Sequence, residues 1–499
     1  MSAGRVFLEA LRFDREPPDV LRRRVHAALG LDVGGFLFFG GEADSAARFI
    51  EEVREAADRP LWLAADLERG AGQQFRGLSV FPPPAGLAAH GEAETAVREA
   101  ARGTAREARA LGLNLALAPV LDLDVEPRNP IVGTRSFGSD PARVAELGAA
   151  WIRSCQQEGV AACAKHFPGH GRTVADSHAG LPVVDAERKA LEADVLPFRA
   201  VASEVACVMT AHVAYPALGG ARPATLEPAI VTRLLRDELD FGGLVLTDAL
   251  NMAGVREAAL AGPGCERGPE ETGPAEAAAL LAGCDLLLYP PDLVAGIEAL
   301  ERAAGDASAA ADRLREAGAR SERALGRFAP GAMSASAGAP RGLPDTSETA
   351  SAAERLAAGC VVPVGGPPPD WLVRSVPISV VAIWDDRDEP GRLPFGDGFR
   401  STLRDAGWTI ATAGAPAEGR IVLLAATPQG WKETASVTQT GRAALEGALA
   451  GERAFPVVFG HRRLAEELER PGLCAWGSEP AMERAAARRL VELVGEGAR

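Results

Sequence analysis

The chain has 499 residues, of which 68 are acidic and 53 are Lys or Arg, so its formal net charge at pH 7 is −15. The arginines are interleaved with Glu and Asp and form no basic block, which argues against nucleic acid or an anionic membrane as a partner. A chain of this length is expected to fold into two domains, one of which can hold a barrel-sized core. A small neutral ligand fits this charge balance better than a polyanion.

Cysteine content and the N-terminal segment bear on the cellular compartment. Residues 1–6 lack a basic stretch followed by an apolar one, and no apolar run is long enough to span a bilayer, so we expect a cytosolic protein. The seven cysteines are odd in number and include no CxxC pair, which is typical of small buried side chains in a reducing compartment. Cys163 lies near His166, but its apolar surroundings favour core packing over nucleophilic catalysis.

Short apolar runs alternate with longer amphipathic segments up to about residue 327, a pattern typical of βα repetition. The amphipathic segments predict helices over 43–57, 92–111, 141–158, 186–203 and 229–239. The apolar runs predict eight strands over 6–11, 35–39, 61–65, 114–120, 160–164, 206–210, 243–247 and 285–289. Eight βα units predict a TIM barrel. A doubly wound open sheet is the alternative, but no Gly-rich phosphate loop follows the first strand.

Polar side chains follow the third to seventh predicted strands, where each strand ends. In a TIM barrel the active site lies at the C-terminal ends of the strands, so these side chains should converge on one mouth. They are Asp66 and Glu68, Asp122 and Asp124, Lys165 and His166, His212, and Asp248.

A run of small uncharged residues from 330 to 340 is typical of a linker. We therefore predict a barrel domain over 1–328, a linker over 329–350 and a smaller domain over 351–499. Apolar runs at 378–384, 421–425 and 456–459 alternate in this last part with predicted helices at 438–449 and 480–494, so it too should be α/β.

The segment 165–178 holds three of the chain's seven histidines. Histidine exchanges protons near neutral pH, and Asp176, two residues before His178, can orient an imidazole and stabilise its charged form. Acid–base catalysis is the favoured interpretation. The alternatives are a loop whose histidines bind backbone groups, and a metal site made of His166, His170, His178 and Asp176. Pro168 and Gly169 make the helix of a zincin site improbable.

These residues also resemble a known family. The resemblance rests on the motifs KHFPGHG (165–171), DSH (176–178), LTDALNM (246–252), LAPVLD (117–122) and RNPIVGTRSFG (128–138). They are similar to the signatures of glycoside hydrolase family 3, in particular its NagZ-type β-N-acetylglucosaminidases. The resemblance covers the barrel, about two-thirds of the chain. It also extends to the C-terminal part, which resembles a reduced form of the family's αβα sandwich domain.

The resemblance implies a role for each matching residue. Asp248 would be the nucleophile that forms a glycosyl-enzyme, His178 the acid/base and Asp176 its dyad partner. The residues that would hold the hydroxyls of the sugar are Asp66, Arg135, Lys165 and His166. A histidine acid/base makes a glutamate from the C-terminal domain, which some relatives use, unnecessary.

Three positions depart from the family pattern. The usual glycine doublet after the third strand reads Arg69-Gly70, and the usual sugar-contacting arginine is replaced by Gln74, with Arg76 as the nearest alternative. Arg172 stands where many members carry aspartate. These departures bear on substrate preference more than on reaction type.

The expected activity is that of an exo-acting, retaining β-N-acetylhexosaminidase that releases N-acetylglucosamine from cell-wall fragments or chitooligosaccharides. No cofactor and no metal are expected. The alternatives are a β-N-acetylglucosaminide phosphorylase, because a histidine acid/base does not repel phosphate and Arg172 is near, and a β-glucosidase-type hydrolase. A non-catalytic sugar-binding protein is the alternative from another functional class.

Overall fold

The computed structural model divides into two compact units. The barrel unit comprises Met1–Ser79, Arg98–Glu126 and Gly138–Thr346, and the second unit comprises Val80–Val97, Pro127–Phe137 and Ser347–Arg499. The residues that the structure describes are 2–174, 180–260, 274–305, 309–328, 346–385, 394–412, 415–426 and 437–496.

Eight parallel strands form the central sheet of the barrel unit: β1 (Phe7–Arg12), β2 (Gly35–Phe39), β3 (Trp62–Ala65), β4 (Leu115–Ala116), β5 (Ala161–Phe167), β6 (Cys207–Thr210), β7 (Leu244–Thr247) and β8 (Leu287–Leu288). Their order in the sheet is β8-β1-β2-β3-β4-β5-β6-β7. Leu246 in β7 forms a bridge with Leu286, which directly precedes β8, so the two end strands also meet. The predicted TIM barrel is therefore confirmed.

Alternate residues of the strands fill the barrel interior, as the two-residue period of a strand requires. Pairs such as Cys207 with Met209 and Leu244 with Leu246 belong to one buried cluster, which Leu325 also joins. Trp62 is fully buried in this cluster, and its indole N–H donates to Ser321 Oγ at 2.9 Å. The C-terminal helix of the barrel unit therefore covers one end of the barrel.

Helices connect the strands and surround the sheet, and the five that were predicted before residue 240 lie close to their predicted positions. Ala229–Glu238 is wound as a π-helix. The α-helices up to residue 328 are Pro18–Gly30, Ala43–Ala56, Pro84–Ala89, Ala93–Ala110, Pro141–Gln157, Arg188–Val201, Ala253–Leu260, Pro274–Ala282, Leu293–Ala304 and Ala309–Phe328. Short 3₁₀ helices are Ala3–Val6, Ala71–Gln73, Gly133–Arg135, Pro216–Leu218 and Ala224–Leu226, and Ala214–Tyr215 pairs with Gly220–Pro223 in a small antiparallel ribbon.

The second unit has its own five-stranded sheet, parallel except for one edge strand. In spatial order the strands are Val362–Val364, Gly472–Cys474, Ala454–Gly460, Gly419–Ala426 and Ile378–Trp384. The helices of this part are Ser347–Cys360, Asp397–Asp405, Gln439–Leu449, Arg462–Glu466 and Pro480–Glu496. The prediction of a smaller α/β domain after the barrel is confirmed.

The predicted domain boundaries stay a prediction. Most of the predicted linker, 329–345, lies outside the described residues, and a helix begins at Ser347. Two segments from the first part of the chain, Val80–Val97 and Pro127–Phe137, belong to the second unit. No described helix combines the length and apolar character needed to cross a membrane.

Candidate active site

Lys165 lies near the C-terminal end of β5 and joins two carboxylates that follow β3. Its Nζ atom is 2.7 Å from Asp66 Oδ1 and 2.7 Å from Glu68 Oε1. The side chains of Lys165 and Glu68 are 3% and 5% exposed, whereas that of Asp66 is 28% exposed. The cluster therefore buries its cation and one carboxylate, and it presents the other carboxylate to solvent at the mouth of the barrel.

Asp122, which follows β4, holds the backbone and the side chain of the next strand end. Its Oδ1 accepts hydrogen bonds from the backbone N–H groups of His166 and His170, at 3.1 and 2.7 Å, and its Oδ2 lies 2.7 Å from His166 Nδ1. Burial raises the pKa of this carboxyl, but His166 and His170 lower it more, so the pKa lies below its usual range. An ionised Asp122 therefore fixes the first half of the histidine-rich segment.

His170 is buried and hydrogen-bonds locally. Its Nδ1 is 2.9 Å from Thr173 Oγ1. Burial and the neighbouring His166 lower the pKa of His170 to about 4, so its imidazole is neutral at physiological pH. A neutral, enclosed histidine is suited to shaping the segment and poorly suited to donating protons at pH 7.

Two further contacts hold the segment as far as residue 172. The Tyr215 hydroxyl donates to the Gly169 carbonyl at 2.8 Å, and Arg172 Nε lies 2.6 Å from Asp194 Oδ2. Gly169 has φ +138°, and a Cβ at this position would lie 2.9 Å from the Cβ of Asp194. Glycine is therefore required where the segment passes the helix Arg188–Val201. The predicted dyad, Asp176 with His178, lies outside the described residues.

Asp248 directly follows β7 and is half-buried. Its Oδ1 accepts the backbone N–H of Ala249 at 2.7 Å. Burial raises the pKa of this carboxyl, but His166, His212, the Ala249 N–H and Lys165 together lower it more, giving a pKa of about 2. Asp248 is therefore an ionised carboxylate at neutral pH, surrounded by side chains from the ends of two other strands.

Arg135, Gln74 and Arg76, which the sequence analysis also named, each bind a neighbouring group of the protein. Arg135 ends the short helix Gly133–Arg135 in the second unit, where its guanidinium donates to the Ile131 carbonyl at 3.3 Å. Gln74 Oε1 accepts the Gly40 N–H at 3.2 Å. Arg76 is half-exposed and pairs with Glu42 at 2.6 Å, so its charge is partly compensated by that carboxylate.

The sequence predicts that Glu68, Asp122 and His212 lie at the mouth of the barrel, because they follow predicted strands. It does not predict what these side chains bind. Their partners come from other strands, and one sequence does not show that pairing. Asp194 had no signal at all, because it lies inside a helix. Cys163 is fully buried in the barrel interior, as predicted. Within the described part of the chain, no three His, Cys, Asp or Glu side chains are grouped to hold a metal ion; Asp176 and His178 are not covered by that search.

A comparison of the chain with models of protein families identifies its family. The family model described as "Glycosyl hydrolase family 3 N terminal domain" matches residues 23–323. The chain belongs to glycosyl hydrolase family 3. A beta-hexosaminidase of Thiobacillus denitrificans is 40% identical over 281 residues, which are 54% of this chain and 73% of that protein.

Other similar proteins are longer or differ more in sequence. A protein of Cellulomonas fimi named beta-N-acetylglucosaminidase/beta-glucosidase is 37% identical over 276 residues, which are 53% of this chain and 47% of that protein. The chain thus spans about half the length of this relative. A solved family 3 beta-N-acetylglucosaminidase from Paenibacillus sp. str. FPU-7 is 26% identical with a TM-score of 0.82, covering 98% of this chain and 96% of that one. A solved beta-glucoside phosphorylase has a TM-score of 0.81, covering 98% of this chain and 91% of that one, but at 19% identity this likeness shows the fold alone.

Proposed function

We propose that the chain is an exo-acting, retaining β-N-acetylhexosaminidase that releases N-acetylglucosamine from cell-wall fragments or chitooligosaccharides. The observation that carries this proposal is the position of Asp248 directly after β7, where His166, His212 and Lys165 from two other strand ends act on its carboxylate. A retaining glycosidase needs an ionised carboxylate to attack the anomeric carbon, and these neighbours favour the ionised form. The position of Asp248 directly after β7 is where a TIM barrel carries catalytic residues.

The proposed acid/base is His178, with Asp176 as its partner. For these two residues the support is the sequence resemblance, since both lie outside the described residues. In the proposed reaction the imidazolium protonates the leaving oxygen while Asp248 bonds to the anomeric carbon. The neutral imidazole then takes a proton from the water that releases the sugar. An imidazole has a suitable pKa for both steps without the burial that a carboxylic acid would need.

The proposed sugar-binding residues are Asp66, Lys165, His166 and Arg135. For the first two the support is geometric: an ammonium and a partly exposed carboxylate, 2.7 Å apart, can each hydrogen-bond to a hydroxyl of one sugar. Arg135 and His166 are proposed from the resemblance. A set of charged groups that holds one non-reducing-end sugar predicts exo action. We also propose a cytosolic location, which is supported by free, buried thiols at Cys155, Cys163, Cys207, Cys284, Cys360 and Cys474.

A β-glucosidase activity is the second candidate, because the Cellulomonas fimi relative is named for both activities. The structure weakens one argument for phosphorolysis, namely that Arg172 could attract phosphate. Arg172, which could attract phosphate, is held by Asp194 at 2.6 Å and donates to the Ala190 carbonyl at 3.3 Å. Its charge is therefore already compensated.

One activity screen tests these proposals. The purified protein is assayed on matched 4-nitrophenyl β-glycosides of N-acetylglucosamine and glucose, with and without phosphate. We expect a clear preference for the N-acetylglucosaminide, free sugar as the product in both buffers, and a first-formed product of β configuration by NMR. A preference for the glucoside would favour the second candidate, and a sugar 1-phosphate would show phosphorolysis. No turnover of either glycoside would favour a non-catalytic sugar-binding protein.

A further inference from the structure

His212 lies two residues beyond β6 and connects two strand ends. It is fully buried. Its Nε2 is 3.1 Å from the Ala249 carbonyl oxygen, and its Nδ1 is 2.8 Å from Thr225 Oγ1. Ala249 is the residue whose N–H donates to Asp248 Oδ1 at 2.7 Å. His212 therefore holds the carbonyl of the same residue whose amide holds the carboxylate of Asp248.

The chemistry of these partners fixes the ring of His212. A carbonyl oxygen only accepts hydrogen bonds, so Nε2 must carry a proton to bond with Ala249. The Thr225 hydroxyl can serve either state of Nδ1, and it also lies 2.8 Å from Thr210 Oγ1 and 3.1 Å from the Ala211 carbonyl. The histidine is thus held in one orientation by a small buried network that begins in β6.

We propose that His212 is a positioning residue for the reaction at Asp248: by holding the Ala249 carbonyl, it fixes the amide that orients the nucleophilic carboxylate. This inference rests on the proposed function. Asp248 is the first residue after β7, so the strand ladder no longer determines the direction of its side chain. The hydrogen bond from the Ala249 N–H supplies that constraint, and the bond from His212 to the Ala249 carbonyl keeps that residue in place. A misplacement of about 1 Å can reduce turnover roughly 100-fold.

The charges around Asp248 come from several elements. His166 and Lys165 face it from β5 and His212 from beyond β6, the Ala249 N–H donates to it, and His170 interacts with it electrostatically. His212 should therefore have two separate effects on Asp248. Loss of its hydrogen bond to Ala249 should free the direction of the carboxylate, and loss of its imidazole should raise the pKa of Asp248 toward the ordinary value for aspartate.

Two substitutions separate the two ring nitrogens. In His212→Gln the amide nitrogen can occupy the position of Nε2 and still donate to Ala249, whereas in His212→Asn the shorter amide reaches only the position of Nδ1. We expect His212→Gln to keep kcat within about threefold of the unmodified protein and His212→Asn to lower kcat by roughly 30-fold to 100-fold, with KM changed much less. The two variants have similar polarity, so comparable melting temperatures would exclude misfolding as the cause.

A measurement independent of activity completes the test. The carboxyl resonance of Asp248 is titrated by NMR on aspartate-labelled protein, with Asp248→Asn used for its assignment. We expect the Asp248 pKa to rise in His212→Asn relative to the unmodified protein. An unchanged pKa together with unchanged kcat would overturn the inference, as would restoration by Asn in place of Gln. An unmodified protein without glycosidase activity would refute the proposed function, and the titration would still decide whether His212 controls Asp248.

Discussion

The Nε atom of Arg172 lies 2.6 Å from Oδ2 of Asp194, which joins the histidine-rich segment to the helix Arg188–Val201. By the sequence resemblance, Arg172 stands where many family members carry aspartate, which is a reversal of charge. In the structure Asp194 compensates the positive charge of Arg172. The Asp194 side chain is only 3% exposed, so without Arg172 it would be a buried carboxylate without a cation. Asp194 Oδ1 has no hydrogen-bond partner among the described residues, so Arg172 is its main source of stabilisation.

Removal of only one member of this pair should cost more than removal of both charges. We expect Arg172→Leu to lower the free energy of unfolding by about 1–3 kcal/mol, because it leaves a buried carboxylate unpaired. Adding Asp194→Asn should recover part of this loss. Urea unfolding of the two single variants and the double variant measures the coupling. Strictly additive effects would show that the pair contributes no interaction energy.

Asp194 and His170, which are both buried, should give opposite pH dependences of stability. Burial, reinforced by Asp122 and opposed by Arg172, raises the pKa of Asp194 from 3.8 to about 6. The folded state therefore binds more protons than the unfolded state between about pH 4 and 6, and the stability that Asp194 contributes falls as the pH rises through this window. Burial lowers the pKa of His170 from 6.5 to about 4, so its contribution is full above pH 6.5 and is lost as the pH falls toward 4.

The two contributions oppose each other in the unmodified protein, and single variants separate them. The stability difference between the unmodified protein and Asp194→Asn should decrease from pH 4 to pH 6. The corresponding difference for His170→Asn should increase over nearly the same range. Urea unfolding at pH 4, 5, 6 and 7 gives both curves. Two flat or parallel curves would contradict the assigned directions.

Asp248 provides the most direct test of the proposed reaction. Asp248→Asn should lower turnover by several orders of magnitude, because an amide does not form a glycosyl-enzyme. Its side-chain oxygen can still accept the Ala249 N–H, so the local fold should persist. A fluoro-sugar that traps the intermediate should label a peptide containing Asp248 in the unmodified protein. Near-normal turnover by the folded variant, or labelling of another peptide, would refute the assignment.

The order of the barrel strands could be predicted because each strand is a short apolar run between helical patterns. The ends were harder to predict. Residues 114–120 were predicted as one strand, but only Leu115–Ala116 pairs regularly. The Asn114 side chain accepts the Leu63 N–H and donates to the Leu61 carbonyl, in addition to the bonds of its own backbone, and Pro119 has no N–H to donate. The place of Val80–Val97 in the second unit depends on contacts distant in sequence, which no local pattern shows.

The part of the site that lies at the ends of strands could be predicted from the sequence. Asp66 and Lys165 were expected to converge because both follow strands of one barrel, and they lie 2.7 Å apart. The supporting residues could not be predicted, because their partners lie on other elements of the chain. Asp194 lies inside a helix, and Thr225 belongs to a short 3₁₀ turn. Neither residue has a neighbour in sequence that indicates its partner.

Substitution of Lys165 tests whether its ammonium group binds the sugar or only stabilises the fold. Lys189 offers a matched control. Lys189 is exposed on the helix Arg188–Val201. Lys165→Ala should cost roughly 2–4 kcal/mol of transition-state stabilisation, as calculated from kcat/KM, because it removes a charge-assisted hydrogen bond to the sugar. Lys189→Ala should change the same free energy by less than about 0.5 kcal/mol.

Lys165→Ala also leaves Asp66 and Glu68 without their shared cation, so lost activity could follow from lost stability. Adding Glu68→Gln removes the buried charge and should recover stability, since Glu68 is 2.7 Å from Lys165 and only 5% exposed. The double variant should therefore unfold close to the unmodified protein but remain as inactive as Lys165→Ala. Recovery of kcat/KM on an N-acetylglucosaminide along with stability would show that Lys165 acts only by neutralising the two carboxylates and does not bind the sugar.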